Sequence, residues 1–322
     1  MTSQGSRFSR REGASRLTDE VFNMRNLHSY TPKHCGEACC MCCSYSPPCI
    51  IFFLIVVLTV GYDAYFITLC LKFHADWRTA FAVICILLGT AASAMLLWAF
   101  LGAVTTAAGY VPADPWKYPP TYVGRRKDFQ PPAPSSNGGS NPNSVTQLDR
   151  ANQLRYCASC EQYKPDNAYH CNFCARCTYQ FDHHCPAINN CIGRDNYKLF
   201  VTFLVYVGVV GFFNGGLMLI GIFALEGGDW NIAWIMFSAF ILVLAVTLLS
   251  FGLTHVCWIC RGQSTMSRHV ASFNREGSRR QSRQQLEQSR RAHWDAVLGT
   301  DRRWWRMLLP LRPRWPAPEE TV

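Results

Sequence analysis

Four long apolar runs constrain what this chain can fold into. They cover roughly residues 49–71, 80–104, 199–225 and 232–258. Each reaches the ~20 residues that a helix needs to cross a bilayer core. Helices of soluble proteins seldom run this long without a polar face. The expected fold is an α-helical polytopic membrane protein with four transmembrane helices. Mean hydropathy is near zero only because these runs alternate with polar stretches rich in Arg, Ser, Pro and Gly.

Orientation follows from the flanking charge. The 64 residues after position 258 hold thirteen Arg against six acids. The connections "KFHADWRT" and "EGGDWN" are short. A bias of basic residues toward the cytosol then puts both termini and the long central loop on that side. The expected location is an integral membrane protein of endomembranes or the plasma membrane. The first 48 residues carry no apolar stretch of the signal-peptide kind, so no cleavable signal is expected there.

The expected organisation has six parts. Residues 1–48 are a cytosolic, largely disordered segment. Residues 49–104 form the first transmembrane hairpin, and 105–155 a cytosolic linker that includes "PPAPSSNGGSNPNS". Residues 156–198 are a compact cysteine-rich block, 199–258 the second hairpin, and 259–322 a cytosolic tail. The tail closes with "RRWWRMLLPLRPRW", 302–315, which mixes Arg with Trp, Leu and Met and has no acid. It is too short and too charged to span, and is expected to lie in the membrane interface; the competing reading packs Trp304 and Trp305 on the cytosolic domain without lipid contact.

Seventeen cysteines do not read as a disulfide framework, because most fall in segments assigned to the cytosol, where thiols stay reduced. Metal ligation, lipidation and nucleophilic chemistry are the alternatives. The cluster "CCMCC", 39–43, stands just before the first span and is expected to be S-acylated. A metal site with His34 and Cys35 is the competing reading.

Between positions 157 and 191 stand seven cysteines and three histidines: Cys157, Cys160, His170, Cys171, Cys174, Cys177, His183, His184, Cys185 and Cys191. The C-x-x-C spacings let two thiolates reach one tetrahedral ion. Two four-ligand sites consume eight groups and leave two. Pro186 pushes Cys185 toward an extended conformation, in which alternate side chains share a face. If His184 faces a metal, His183 and Cys185 face away together, with Asp182 next to the histidine. A carboxylate, an imidazole and a thiol in that order follow the logic of an activated nucleophile. The bland alternative is a structural metal module with two idle residues.

At these residues the chain closely resembles the DHHC family of protein S-acyltransferases, the palmitoyltransferases. The likeness rests on "CASCEQYKPDNAYHCNFCARCTYQFDHHCPAINNCIGRDNYKLF" and on the four-span layout. It implies a cytosolic zinc-binding domain between the second and third helices, holding two structural zinc ions. One would take Cys157, Cys160, His170 and Cys177, the other Cys171, Cys174, His184 and Cys191. Cys185 would be the nucleophile, His183 the general base and Asp182 its polarising partner.

The resemblance further implies transfer of a long-chain acyl group from palmitoyl-CoA, the co-substrate, to cysteines of membrane-associated proteins through an acyl-enzyme thioester. The acyl chain would lie in a cavity between the four helices. Lys164, Arg194 and Lys198 are candidates for the CoA phosphates. The lipid bilayer is the other partner, and no nucleic acid is expected. The alternative is a catalytically weak zinc-bearing membrane scaffold of the same family.

The sequence departs from the family pattern in several places. Ala187 stands where Trp usually follows the motif, and Ala107, Ala108 and Gly109 where Asp-Pro-Gly is usual. Ser264 and Thr265 keep part of a Thr-Thr-x-Glu motif, with Ser267 at the Glu position, and His293 replaces an Asn before Trp294. Asp63, midway along the first span, should face the bundle interior or be protonated. Cys70, Cys85 and Cys257 read as small buried hydrophobes.

Overall fold

The structure is a computed structural model. It describes residues 35–73, 76–124, 129–132, 139–226, 231–261, 294, 295, 297–301 and 303–314, with side chains from Tyr45 onward. The motif remnant at 264–267, His293, the side chains of 39–43 and residues 1–34 lie outside the described residues.

Among the described residues four helices are long and apolar enough to cross a membrane. They are α1 (Cys35–Lys72), α2 (Trp77–Thr105), α3 (Tyr197–Ile220, continued by a π turn over Gly221–Leu225) and α4 (Ile232–Cys260). By length and composition they are candidate membrane spans, and helices suit hydrocarbon because their backbone satisfies its own hydrogen bonds. Residues 35–48, read from sequence as part of the polar N-terminal segment, continue α1 upstream of its apolar stretch. Two starts are capped. The Asp76 carboxylate accepts from Trp77 N–H at 2.6 Å, and the Asn231 side chain accepts from Ala233 N–H at 2.9 Å. Each satisfies a donor that the first helical turn leaves open.

Among the described residues the chain divides into two compact units. One holds 35–47 and 107–195, the other 48–106, 196–261 and 294–314. In the helical unit the interior is aromatic. Tyr62, Tyr65, Phe66 and Leu69 of α1 pack with Ala82 and Cys85 of α2 and with Met218, Ile222, Leu225 and Ile241. Glycines let α3 approach α4. A Cβ on Gly208 would stand 2.4 Å from Cβ of Leu249, and one on Gly211 would stand 2.8 Å from Cβ of Ala245. Small residues on one face are how membrane helices gain close packing, since lipid gives them no hydrophobic drive to associate.

Polar groups inside this unit find one another across helices. Tyr62 donates to the Cys85 carbonyl at 2.8 Å, and Asn214 Nδ2 to Ser93 Oγ at 3.3 Å. Asp63 is half-buried rather than sealed inside, and its carboxyl accepts from the Thr90 hydroxyl at 3.0 Å. That bond gives a mid-span carboxyl the partner that hydrocarbon cannot supply. Cys85 is buried as expected, whereas Cys70 is only partly covered and Cys257 is exposed.

Between 107 and 195 the described residues of the other unit form no long element. Its strands come as pairs of two or three residues: β1 (Thr121–Tyr122) parallel to β2 (Ser144–Val145), then antiparallel β3 (Tyr156–Cys157) with β4 (Gln162–Tyr163), β5 (Tyr169–Cys171) with β6 (Arg176–Thr178), and β7 (His183–Cys185) with β8 (Asn190–Ile192). The stretch read from sequence as linker is built into this unit. Trp116 and Val111 bury against Val145, Leu154, Cys157, Ala168 and Cys177. Trp116 Nε1 donates to the Tyr179 hydroxyl at 2.8 Å. The Asp166 carboxylate accepts from the main-chain N–H of Thr146 at 2.9 Å and of Gln147 at 2.9 Å.

Candidate metal centres and nucleophile

Two sets of four side chains converge. Cys157, Cys160, His170 and Cys177 form the first, and Cys171, Cys174, His184 and Cys191 the second. Within each set the donor atoms lie within 4.8 Å of one another. The hairpins create this arrangement. On β5 and β6, His170 stands opposite Cys177, so both point to the first site. Cys171, the next residue along, must point to the opposite face, where the second site lies. On β7 and β8, His184 stands opposite Cys191, and both serve the second site. Adjacent ligands are thus sorted between two centres by the two-residue repeat of a strand.

The spacing fits a tetrahedral ion. His170 Nδ1 lies 3.5 Å from Cys157 Sγ and 3.2 Å from Cys160 Sγ. His184 Nδ1 lies 3.5 Å from Cys174 Sγ and 3.8 Å from Cys191 Sγ, and the two sulfurs are 3.2 Å apart. Zinc–sulfur bonds of about 2.3 Å would set tetrahedral sulfurs about 3.8 Å apart. The protonation of these thiols agrees. Hydrogen bonding from Cys177 draws Cys160 down to about 4. Its neighbour Cys177 is pushed up by the hydrogen bond to Cys160 and by burial. Crowded thiols cannot all ionise by themselves, and a dication at their centre removes the conflict. The donor set of three sulfurs and one imidazole suits a closed structural zinc site.

His183 and Cys185 are the two groups left outside both sets. His183 Nδ1 is 2.8 Å from the Asp182 carboxylate. Asp182 is only 3% exposed, and its main-chain N–H bonds the Ile192 carbonyl at 2.9 Å, so the carboxylate is held in place. Burial pushes the imidazole down, but the hydrogen bonds of Asp182 and Cys185 outweigh it and raise His183 to about 9. Cys185 is buried at 8% exposure. Its backbone is extended, φ −104° and ψ 108°, and Pro186 then opens a short 3-10 turn closed by Asn189 in the left-handed region. The proline enforces that conformation, and the turn returns the chain along β8. Ala187 sits half-buried in this turn.

The departure after the second span also has a place in this unit. Ala108 is fully buried against Cys171, Cys174 and Cys191. Gly109 has φ +89°, and the Asp195 carboxylate would stand 2.8 Å from a Cβ there. Tyr179 N–H bonds the Gly109 carbonyl at 2.8 Å, and Asp195 N–H bonds the Ala108 carbonyl at 3.2 Å. The sequence reading did not single out Tyr110. Burial raises its hydroxyl well above the usual phenol range, and the charges of Cys174 and Cys191 add to the effect. A tyrosine directly after a lone Gly was the only signal.

The three basic candidates fare differently. Lys164 is partly exposed. Arg194 pairs with Asp195 at 2.7 Å and stacks on the Tyr179 ring at 4.5 Å. Lys198 is not an exposed rim cation, for it is 3% exposed in the first turn of α3. Its ammonium donates to the main-chain carbonyls of Arg306 and Leu311, which leaves it poorly placed to meet a phosphate.

Comparison with known proteins points the same way. The DHHC palmitoyltransferase family matches residues 150–272. "Probable protein S-acyltransferase 13" of Arabidopsis thaliana is 28% identical over 219 residues, 64% of this chain and 69% of that protein. "Palmitoyltransferase ZDHHC8B" of Danio rerio is 36% identical over 129 residues, which are 38% of this chain but 16% of that protein. "Palmitoyltransferase ZDHHC5" of Homo sapiens is 34% identical over 129 residues, 17% of its length. The chain therefore spans about two thirds of the plant relative and about one sixth of the two animal ones. Residues 150–272, which hold the paired four-ligand sets and the Asp182–His183 pair beside Cys185, thus match the DHHC palmitoyltransferase family, and the chain as a whole is similar to protein S-acyltransferases.

Proposed function

We propose that this protein transfers a palmitoyl or similar long-chain acyl group from acyl-CoA to cysteines of membrane-associated proteins, with Cys185 as the acyl carrier. The observation that supports it most is the Asp182–His183 contact at 2.8 Å, next to the one cysteine of the block that stands outside both four-ligand sets. In this reading His183 takes the proton from the Cys185 thiol, and Asp182 steadies the imidazolium. The thiolate attacks the thioester carbonyl, a new carbon–sulfur bond forms, and CoA leaves as a thiol with the proton from His183. In the second stage a substrate cysteine attacks the acyl-enzyme, its thiol proton passes to His183 and then to Cys185, and the enzyme is regenerated.

In the same reading the two four-ligand sets hold zinc, which would lock the β5–β8 hairpins and hence the aim of Cys185. Zinc takes no part in the transfer. Lys164 is the basic candidate for the CoA phosphates. Both termini and the zinc domain are assigned to the cytosol, where the thiols stay reduced and acyl-CoA is at hand. The purified protein, given a labelled long-chain acyl-CoA, should acquire a hydroxylamine-sensitive label. Cys185→Ser should abolish it, and His183→Ala should lower the labelling rate by about 10²–10⁴-fold. Normal labelling of Cys185→Ser overturns the proposal and leaves the scaffold reading.

A further inference from the structure

The tail segment around α5 (Trp304–Leu308) is tied to the wall of the helical unit. Lys198, in the first turn of α3, donates to the carbonyls of Arg306 and Leu311. Tyr206 donates to the Leu308 carbonyl at 2.8 Å. The Pro310 carbonyl lies 4.0 Å from where a Cβ on Gly102, in the last turn of α2, would sit. Segment 306–311 thus runs along the ends of the second and third spans.

Its depth can be read from α3. The apolar helix from Tyr197 to Leu225 has 29 residues, or about 43 Å at 1.5 Å per residue. A hydrocarbon core of about 30 Å leaves about 6 Å at each end in the headgroup layer. Lys198 falls in that layer, and Tyr206, about 13 Å along the helix, falls about 7 Å inside the core boundary. Tyr206 also sits on the outward face, since Val209 and Phe213, three and seven residues on, are 55% and 39% exposed. At this depth an outward face of the helical unit meets lipid wherever polypeptide does not cover it.

On the tail segment Trp304 is 73% exposed and Leu308 60%. Arg312 and Arg314 are exposed beside them. Trp favours the boundary between headgroups and acyl chains, and Arg favours phosphate.

We propose that residues 303–314 form an interfacial strut bound to the phospholipid bilayer, with Trp304 and Leu308 at the acyl boundary and Arg312 and Arg314 at the headgroup phosphates. Lys198 and Tyr206 fix its depth by holding its carbonyls. The strut is a built-in lipid contact rather than a loose tail, and it does not depend on the chemistry at Cys185.

The test uses the full-length protein in phosphatidylcholine–phosphatidylserine nanodiscs. A photoreactive p-benzoylphenylalanine replaces Trp304 in one sample and Val209, on the outward face of α3, in another. Trp304 is exposed, so the replacement removes no buried packing. After irradiation, the intact mass should show phospholipid adducts from position 304 at a yield within about three-fold of that from position 209. Adducts to polypeptide alone at position 304, or lipid adducts below about a tenth of the position-209 yield, overturn the proposal.

Discussion

The two units of this protein are held together by opposite means. In the helical unit the stabilising contacts are many and individually weak. Aromatic rings of α1 fill the space between helices, and glycines on α3 admit the side chains of α4. In the cysteine-rich unit the strands are two or three residues long and bury little apolar surface. Eight donor atoms in two clusters take the place of a large core. One architecture tolerates many substitutions of similar size, whereas the other depends on the identity of single residues.

The sharpest way to break this comparison is to remove one ligand. A structural zinc in a small module contributes on the order of 10 kcal/mol to folding. Cys171→Ala takes one sulfur from the second set, and the proposed acyl transfer gives Cys171 no part in the chemistry. We expect bound zinc to fall below two ions per chain, the 107–195 segment to become protease-sensitive, and labelling at Cys185 to be lost. Protease-resistant protein with two zinc ions would show that the hairpins stand without this ligand.

The contrast also explains what was legible in the sequence. The spans could be read from composition alone, because hydrocarbon demands long apolar helices whatever their partners. Spacing pointed to two four-ligand sites among ten candidate donors, but the sorting of eight of them into two sets came from the resemblance to the DHHC family. Contacts between segments distant in sequence were not legible. Nothing local to Trp116 says that it packs against Cys157 and Cys177, so residues 105–155 read as linker. Nothing local to Lys198 says that carbonyls from residues 306 and 311 will cover it, so it read as a surface cation. Basic residues at a helix start look alike in sequence whether they meet solvent or a returning tail.

An intermediate effect is expected where the helical unit comes closest to depending on one residue. A Cβ on Gly208 would stand 2.4 Å from Cβ of Leu249, which is part of the helix wall and not a movable side-chain end. Gly208→Val should force α3 and α4 apart and cost about 1–3 kcal/mol, the usual range for overpacking. Detergent-resistance unfolding curves would report it, with zinc content unchanged at two per chain. A loss of zinc in this variant would mean that the two units do not stand independently.

The smallest effect is expected from the polar contacts between spans. Asn214 Nδ2 donates to Ser93 Oγ at 3.3 Å, a long bond, and Asn214 Oδ1 is buried without a partner among the described residues. Interhelical hydrogen bonds of this type contribute about 0.6 kcal/mol on average, because the separated helices also find polar partners. Ser93→Ala removes one acceptor and leaves a cavity smaller than a methyl group. It should therefore shift the unfolding midpoint only slightly, well below the shift of Gly208→Val. The tight approach of α3 and α4 would then be the stronger contribution, and the helical unit would remain one in which shape outweighs any single polar contact. If Ser93→Ala instead matched the glycine variant, the spans would depend on individual residues as the cysteine-rich unit does, and the distinction between the two units would fail.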